Sequence, residues 1–482
     1  MSSLDKRTTS LRVAAVIQFA ARYANIAVQL VITMVLARIV SPEAYGEMAI
    51  LTVFSGFFSL LTTLGIGAAV VQYDELDEGE IQSLFFFTIL MGLALTGAFC
   101  LISYPVSLLY SDSNLIVLMC AISPTVLFNA ANMVPNGLLL RRQLFIAVGV
   151  RLVVTSAVGG MVGVLLALQG AGVYALIANS VVQAFLNFAW NASASKVGLK
   201  FRSPRSALEK IGRFSVFQFF SQLVQYLARN LDNFLIGLVL GNTSLGYYSN
   251  AYKLAKYPVD IIPSTLNPVL RSFYAKMHDD VDGLYSLYCK VEKALSILGV
   301  FISVLCFWAA EELVTLFFGD AWADSAPLFR ALSVSIVFQM VNFTFGAALE
   351  ATRRTDYLFR STVLSTAIVV ILLCVGLATG DLLITSAMVS LGLILYTVPV
   401  VYYVVHKAFG KPVSRYLQQF LPEMGAGALT CLVLFLMMPH LPDAAILSLL
   451  AKVAVAAIVY FASIVAMGQG RYLKQLLGKN VK

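Results

Sequence analysis

The sequence predicts an all-α protein whose helices cross a lipid bilayer about fourteen times. Hydrophobic residues make up 59% of the 482 residues and charged residues only 12%, whereas soluble domains carry about 25% charged residues. Apolar runs of about 20 residues, each long enough to cross a hydrocarbon core, recur along the whole chain. No soluble domain of ordinary size fits between them, so nearly all of the protein is expected to lie in the membrane.

The predicted spans are joined by short connections, as expected for helices that pack as antiparallel neighbours. They cover residues 11–39, 46–72, 83–109, 115–140, 144–168, 172–194, 213–239, 245–273, 285–309, 325–349, 357–379, 382–405, 418–438 and 444–467. The first is expected to be retained, because no small-residue cleavage site follows its first apolar stretch. A count of twelve stays open if the last two segments do not span.

Basic residues predict the orientation of these spans. With the N-terminus inside, the segment 196–213 and the pair Arg353 and Arg354 lie in cytoplasmic connections. The opposite loops are neutral or acidic, which satisfies the positive-inside rule with both termini cytoplasmic. The acidic loop Asp74–Glu80 also lies inside, but acidic residues contribute little to orientation. The net charge of +8 is therefore explained by topology and does not indicate a nucleic-acid partner.

The chain also repeats itself. A displacement of 200 residues, without gaps, aligns Gln18 with Gln218 and Gly46 with Gly246. Both copies begin a six-span block of the same orientation, which predicts a parallel repeat, an architecture found in transporters. The predicted organisation is an N-terminal six-helix bundle (1–195), a basic cytoplasmic connection (196–212), a C-terminal six-helix bundle (213–405) and two additional transmembrane helices with a basic cytoplasmic tail (406–482).

Ionisable residues inside the spans are the candidate functional residues, because such groups are costly in hydrocarbon and mark binding or ion sites. Arg22 lies about ten residues into the first span, roughly 15 Å deep and near the bilayer midplane. The others lie on the fifth, seventh and eighth spans: Arg151, Arg229, Asp232, Lys253, Lys256 and Asp260. If the two bundles face each other at these spans, the residues line a polar cavity with a positive bias.

Most of these groups also have a structural interpretation. Arg229 with Asp232, and Lys256 with Asp260, have helical spacings suited to ion pairs that lock neighbouring helices. Lys253 can instead extend its ammonium outward to the interface. The sequence alone leaves these alternatives open.

Depth separates the remaining basic residues. Arg330 and Lys452 lie near the outer ends of their spans and are expected to snorkel to the interface. Arg22 has no acidic residue on its own helix and is too deep to snorkel easily, which favours a cavity-lining role.

Prolines and glycines predict the shape of two spans. Pro258, Pro263 and Pro268 in the eighth span each remove a helical hydrogen bond, so this span is expected to be kinked or broken. A flexible helix that carries charges is a candidate gate, and a fixed bend is the alternative. Gly159, Gly160 and Gly163 in the fifth span predict close packing against neighbouring helices.

The sequence has no conventional catalytic signature. Histidines and cysteines are dispersed without metal-ligand spacing, and no G-x-x-x-x-G-K-[ST] phosphate-binding loop occurs. The outer loops are too short to hold a carbohydrate-processing domain. We therefore expect no catalytic residues, no bound metal and no cofactor, while a coupling proton or sodium ion stays open.

Three segments together resemble a known family. The end of the first span reads Leu36-Ala-Arg-Ile-Val-Ser-Pro-Glu-Ala-Tyr-Gly46, the start of the eighth reads Leu245-Gly-Tyr-Tyr-Ser-Asn-Ala-Tyr-Lys-Leu-Ala255, and Pro135–Phe145 connects the fourth and fifth spans. In this order they resemble the polysaccharide-transporter branch of the multidrug/oligosaccharidyl-lipid/polysaccharide exporter superfamily. The resemblance covers the chain from about Leu11 onward.

The resemblance implies a V-shaped pair of six-helix bundles with two extra C-terminal helices in the bacterial cytoplasmic membrane. It implies a flippase that moves undecaprenyl-pyrophosphate-linked oligosaccharide from the inner to the outer leaflet by alternating access. Membrane lipids, a polysaccharide polymerase and glycosyltransferases are the expected partners. Arg22, Arg151, Arg229, Lys253 and Lys256 would then compensate the pyrophosphate charge. Asp232 and Asp260 would neutralise the empty cavity or couple transport to an ion.

Three other functions are weighed against this one. A cation-coupled multidrug antiporter of the same superfamily would favour an acidic cavity, whereas basic residues outnumber acids here. A membrane polymerase or ligase would need a large outer loop with catalytic residues. A scaffold of a polysaccharide assembly complex would not need deep charges.

Overall fold

The computed structural model describes residues 11–63, 66–73, 75–199, 205–277, 279–440, 442 and 444–470. Throughout these residues the secondary structure is helical, without a β-strand. The chain divides by its internal contacts into two units, Met1–Gly246 and Tyr247–Lys482. The seventh predicted span therefore groups with the N-terminal unit in this division. The predicted boundaries at 195, 212 and 405, and the V shape, stay predictions.

The N-terminal unit contains nine helices and the first part of a tenth among its described residues. They are α1 (Leu11–Ile39), α2 (Pro42–Thr63), α3 (Ile66–Gln72), α4 (Glu78–Leu109), α5 (Asn114–Ile122), α6 (Pro124–Ala131), α7 (Met133–Arg141), α8 (Phe145–Leu168), α9 (Val173–Ser195) and α10 (Arg205–Lys276). Helices α5, α6 and α7 together form one candidate span, Asn114–Arg141. The predicted fourth span is thus built from three short helices in series.

The C-terminal unit contains the rest of α10 and the helices that follow it. They are α11 (Val281–Trp308), α12 (Ala310–Phe318), α13 (Ser325–Ser333), α14 (Ile336–Asn342), α15 (Phe345–Ala351), α16 (Thr355–Leu377), α17 (Leu382–Leu395), α18 (Thr397–Val401), α19 (Val413–Gln418), α20 (Leu421–Met437) and α21 (Ala445–Ile464). Wider π-helical turns at Tyr402–Ala408 and Val465–Gln469 extend α18 and α21.

Within the described residues, 11 helical segments are long and apolar enough to cross a membrane, and a pair bent by 47°, Ser325–Ser333 with Ile336–Ala351, raises the number to 12. The protein is therefore an all-α, multi-pass membrane protein, as predicted. The seventh and eighth predicted spans fall within α10, which carries five of the candidate charged residues and is less apolar. The count of fourteen stays a prediction.

Acidic residues begin several helices by capping free backbone N–H groups. Asp77 Oδ1 accepts a hydrogen bond from Glu80 N at 2.6 Å, and Glu80 Oε2 accepts one from Asp77 N at 3.1 Å. This reciprocal pair starts α4 within the acidic loop Asp74–Glu80. The side chains of Asp280 and Asp381 cap α11 and α17, each by accepting a single bond from the N–H of Gly283 or Ile384. Part of the acidic charge in the connections is thus explained by helix capping.

The glycines of α8 let two helices approach it closely, which confirms the predicted packing role. A Cβ placed on Gly160 would lie 2.1 Å from Ile32 Cδ1 on α1. A Cβ on Gly159 or Gly163 would lie 3.0 Å from an atom of Asn179 on α9. Larger residues at these positions would push α1 and α9 away from α8.

The break in α10 lies at Gly241 and not at the prolines. Gly241 has φ 84° and ψ 175°, a backbone conformation essentially restricted to glycine, while the rest of Arg205–Lys276 keeps helical angles. The helix is therefore not broken at Pro258 or Pro263, because proline's fixed φ is itself compatible with a helix when the lost hydrogen bonds are tolerated. A kink at these prolines stays a prediction. The side chain of Pro263 lies outside the described residues. A gating role for either proline stays a prediction.

Candidate functional site

The height of Arg22 along the helix axis, relative to α8, follows from hydrogen bonds between α1 and α8. Gln18 Nε2 donates to the Phe145 carbonyl at 3.1 Å, and Gln29 Nε2 donates to Ser156 Oγ at 3.1 Å. Both bonds join residues 127 apart, so the two helices run parallel in a fixed register. Arg22 is then level with a position about 6 Å from the first residue of α8. Arg22 therefore lies closer to the starting end of α8 than the midplane depth expected from the sequence. The reason is that the first residues of α1 extend beyond the start of α8.

Arg22 and Arg151 lie within about one helical turn of each other in height but in opposite environments. The Arg22 side chain is exposed and makes no hydrogen bond or ion pair with the residues that the structure describes. The Arg151 side chain is buried, and its Nη1 donates to Asn136 Oδ1 at 2.9 Å. Of these two predicted site residues, Arg22 is therefore the one that lies at the protein surface.

Arg151 belongs to a cluster of amide side chains from three helices. Asn191 Nδ2 on α9 donates to Asn132 Oδ1 at 2.7 Å and to Asn136 Oδ1 at 3.3 Å. Asn136 thereby links α7, α8 and α9 around the guanidinium. The Nε of Arg151 is buried without a hydrogen-bond partner among the described atoms. This arrangement supports a structural contribution from Arg151, since its charge is held inside the N-terminal unit.

A second polar layer continues from this cluster along α8 and α9. Thr155 Oγ1 donates to the Arg151 carbonyl at 2.9 Å and lies 3.3 Å from Asn187 Oδ1. Asn187 Nδ2 donates to the Gln183 carbonyl at 2.8 Å, and Gln183 Nε2 donates to Ser156 Oγ at 3.2 Å. Hydrogen bonds between helices are common where lipid leaves polar side chains no water. Sequence reasoning missed this network, although Gln183, Asn187 and Asn191 recur every four residues on one face of α9.

The first half of α10 presents a second unpaired cation. Arg229 is exposed and makes no ion pair or hydrogen bond with any described residue. Asp232 is half-buried, and its Oδ1 accepts a hydrogen bond from the Asn233 N–H at 2.8 Å. The ion pair suggested by their spacing is therefore not formed.

The C-terminal part of α10 holds the remaining predicted residues. Lys256 is half-buried and unpaired in the described part of the chain. Lys253 and Asp260 are exposed, and each also interacts with neighbouring groups. The proposed pair between Lys256 and Asp260 is thus absent. Within the described part of the chain, three cations of the predicted set have no hydrogen-bond or ion-pair partner: Arg22, Arg229 and Lys256.

The C-terminal unit contains two ion pairs with buried lysines that sequence reasoning missed. Lys293 Nζ lies 2.7 Å from Glu423 Oε1, and both side chains are buried. Lys452 Nζ contacts Glu312 Oε1 and also donates to the Trp308 carbonyl at 2.8 Å. The expected snorkelling of Lys452 is therefore wrong, since a carboxylate from another helix lies within reach of its ammonium. Arg330 lies near the surface and pairs with Glu311 at 2.9 Å.

Solved transporters share this fold. The chain is similar to the lipid II flippase MurJ in an inward closed conformation, with TM-score 0.72 and 13% identity over 93% of this chain and 98% of that one. It is similar to an inward-facing multidrug resistance transporter of the MATE family, with TM-score 0.61 and 15% identity over 84% of this chain and 99% of that one. The chain therefore shares its fold with these multi-pass α-helical membrane proteins.

Comparison with related sequences identifies the family of the chain. The chain belongs to the family described as polysaccharide biosynthesis protein, which it matches over residues 35–327. It is 25% identical over 435 residues to the succinoglycan biosynthesis transport protein ExoT of Rhizobium meliloti (strain 1021), covering 88% of this chain and 87% of that protein. It is 25% identical over 357 residues to the lipopolysaccharide biosynthesis protein WzxC of Escherichia coli (strain K12), covering 71% and 70%. The predicted family is confirmed.

Proposed function

We propose that this chain is a flippase that moves undecaprenyl-pyrophosphate-linked oligosaccharide units across the bacterial cytoplasmic membrane for surface polysaccharide export. Support comes from a transport protein for succinoglycan biosynthesis among its relatives and from its fold, which a lipid II flippase shares. In this proposal the protein is a transporter and not an enzyme. Both termini are cytoplasmic, and a polysaccharide polymerase and glycosyltransferases supply and consume its cargo.

The observation that carries the proposal is the set of exposed or half-buried cations on α1 and α10 that have no partner among the described residues, Arg22, Arg229 and Lys256. An unpaired cation facing acyl chains is costly, so such groups face water or an anionic ligand. A pyrophosphate is an anion that cannot cross hydrocarbon unaided. Arginine suits it because the guanidinium binds phosphate oxygens in a bidentate geometry.

The polyprenyl tail can remain in lipid while the headgroup passes through the protein. Transport then requires that the site open in turn to each side of the membrane, the alternating-access scheme of secondary transporters. Arg22 is the first residue to test, because it is exposed and unpaired in the described part of α1.

The test uses proteoliposomes that contain a fluorescent undecaprenyl-pyrophosphate oligosaccharide and a membrane-impermeant quencher. Wild-type protein should make label in the inner leaflet accessible to the quencher, and Arg22→Ala should slow this at least tenfold, while Arg22→Lys retains part of the rate because it keeps the charge. Arg330→Ala is the matched control, because it removes an exposed arginine that is already paired with Glu311.

Two outcomes would contradict the proposal. Unchanged flipping by Arg22→Ala would remove Arg22 from the headgroup site. Absence of wild-type flipping, together with export of a lipophilic cation, would favour the cation-coupled multidrug antiporter, whose fold this chain also shares. Asp232 and Asp260 would then be tested next.

A further inference from the structure

Glu292 is a buried carboxyl group for which the flippase mechanism above has no use. It lies on α11, inside the candidate span Val281–Trp308, and its residue is 0% exposed. Its Oε1 accepts a hydrogen bond from the Thr344 hydroxyl. Its Oε2 is buried without a hydrogen-bond partner among the described atoms. Such a group in a membrane helix indicates a functional site.

Its nearest titratable neighbours are phenols and a thiol. Tyr288 and Cys289 precede it on α11, Tyr274 comes from α10, and Tyr416 comes from α19. The three tyrosine side chains are buried, and the rings of Tyr288 and Tyr416 stack with centroids 6.1 Å apart. All four groups are neutral at pH 7 when buried, so none of them compensates a carboxylate charge.

Lys293 and Arg271 are paired with other groups, and Lys290, also on α11, is exposed. Lys293, the next residue along α11, contacts the carboxylate of Glu423 at 2.7 Å and the Gln419 carbonyl. Arg271 on α10 pairs with the exposed Glu350 on α15 at 3.3 Å. Residues 402–408 contribute the buried Val404 and Val405 to the apolar packing that includes Tyr288 and Tyr416, whereas His406 and Lys407 of this segment are exposed.

Two other acids of the described C-terminal unit, the buried Glu423 and the half-buried Glu312, provide a contrast. Glu423 has Lys293 and Glu312 has Lys452, whereas Glu292 has no cation within ion-pair distance in the described chain. An isolated carboxylate in an apolar interior costs far more than a neutral carboxylic acid. The packing around Glu292 therefore selects the protonated form.

We infer that Glu292 is a proton-binding site of the C-terminal unit, which holds a proton in the enclosed geometry seen here and releases it when conformational change admits water. Given the proposed flippase function, on which this step rests, the bound proton is a coupling ion for transport. A proton needs no coordination shell, whereas a hard metal cation takes about six oxygen ligands. The closed packing of Tyr274, Tyr288, Tyr416 and Thr344 around the carboxyl suits the proton.

Infrared spectroscopy tests the proton site without any transport assay. Purified wild-type protein in lipid nanodiscs at neutral pH should show the carbonyl stretch of a protonated carboxylic acid, and Glu292→Gln should lose that band. Glu350→Gln is the matched control, because Glu350 is an exposed acid of the same unit, and it should leave the band unchanged. A wild-type protein without the band, a band retained in Glu292→Gln, or a band that responds to sodium would overturn the inference.

Transport measurements then separate the two proposals. Wild-type flipping in proteoliposomes should change in rate with an imposed pH gradient, and Glu292→Gln should lose this dependence. Glu292→Asp, which retains a titratable carboxyl, should restore it and shows that the site tolerates substitution. If no variant flips the lipid while the infrared band behaves as expected, the proton site stands and the flippase function fails. Flipping by wild type that ignores the pH gradient overturns proton coupling alone.

Discussion

Two arginines at similar levels of the N-terminal unit have different chemistry because of their partners. Arg151 is enclosed by α7, α8 and α9, and Asn136 accepts one of its N–H groups at 2.9 Å. A buried guanidinium retains its charge, so neutral amide oxygens have to replace water around it. Arg22, which is exposed on α1, has no such partner in the described part of the chain and can meet an anion. The residue type alone does not distinguish these roles.

The pair of Glu312 and Lys452 predicts how stability responds to acid. Burial raises the pKa of Glu312, but hydrogen bonds from Lys452 and Ser448 outweigh it and hold the pKa below its ordinary value. A carboxyl whose folded pKa is lowered stabilises the protein above its unfolded pKa and loses this contribution as the pH falls through the folded value. The contribution is therefore present at neutral pH and lost below about pH 4.

Glu312→Gln should lower the free energy of unfolding by about 1.5–3 kcal/mol at pH 7, and the difference from wild type should shrink on acidification. Thermal unfolding in detergent at a series of pH values measures it, with the fluorescence of the nearby Trp308 as a reporter. Glu311→Gln is the control, because Glu311 is 73% exposed in its pair with Arg330 and should change stability little. A constant difference between Glu312→Gln and wild type across pH would contradict the assignment.

Among the elements, the start of α2 and the segment after Gly241 pack by a reciprocal backbone contact. A Cβ on Gly46 would lie 1.7 Å from the Asn242 carbonyl oxygen, and a Cβ on Gly246 would lie 1.9 Å from the Pro42 carbonyl oxygen. The repeat displacement carries Pro42 onto Asn242 and Gly46 onto Gly246. Each contact is therefore the counterpart of the other, as in a symmetric pairing of two related surfaces.

This contact predicts that neither glycine tolerates a side chain. Gly46→Ala and Gly246→Ala should each destabilise the protein by about 1–3 kcal/mol or more, because the new methyl group meets backbone that cannot rotate away. Gly97→Ala on α4 is the control, since nothing lies within 4 Å of its added Cβ, and it should be neutral or stabilising by about 0.5–1 kcal/mol. Thermal unfolding temperatures of the purified variants compare them, and equal values for all three would refute the close contact.

At the scale of the whole molecule, the charge distribution predicts which loops lie on each side of the membrane. Ser113 precedes α5 in a predicted outer loop, and Thr355 begins α16 beside the basic pair Arg353 and Arg354. Both side chains are exposed. In a cysteine-free background, Ser113→Cys should react with an impermeant maleimide in right-side-out vesicles, and Thr355→Cys only in inside-out vesicles. The reverse pattern would invert the predicted topology.

Apolar length, charge asymmetry and three motifs were enough to predict the membrane class and the family of the chain. Bilayer thickness fixes the length of any helix that spans it, so such helices are recognisable in the sequence. The packing glycines of α8 were also predictable from their spacing. The ion pairs were not predictable from the sequence. Glu312 and Lys452 are 140 residues apart in the chain, and local spacing carries no information about such a meeting. Glu292 and Lys293 stood in an apolar span and could have been singled out by the rule that drew attention to Arg22.

The sequence by itself determined that this protein crosses a membrane many times and which family it belongs to, since both depend on composition and local order. The tertiary structure decided which embedded charges are available. Arg151 is hydrogen-bonded within a group of amide side chains, and Lys452 is paired with a carboxylate. Arg22, Arg229 and Glu292 have no charged partner among the described residues. The physical reason is that the cost of a charge in an apolar medium depends on the atoms within a few ångströms, and helix packing brings those atoms from distant parts of the chain.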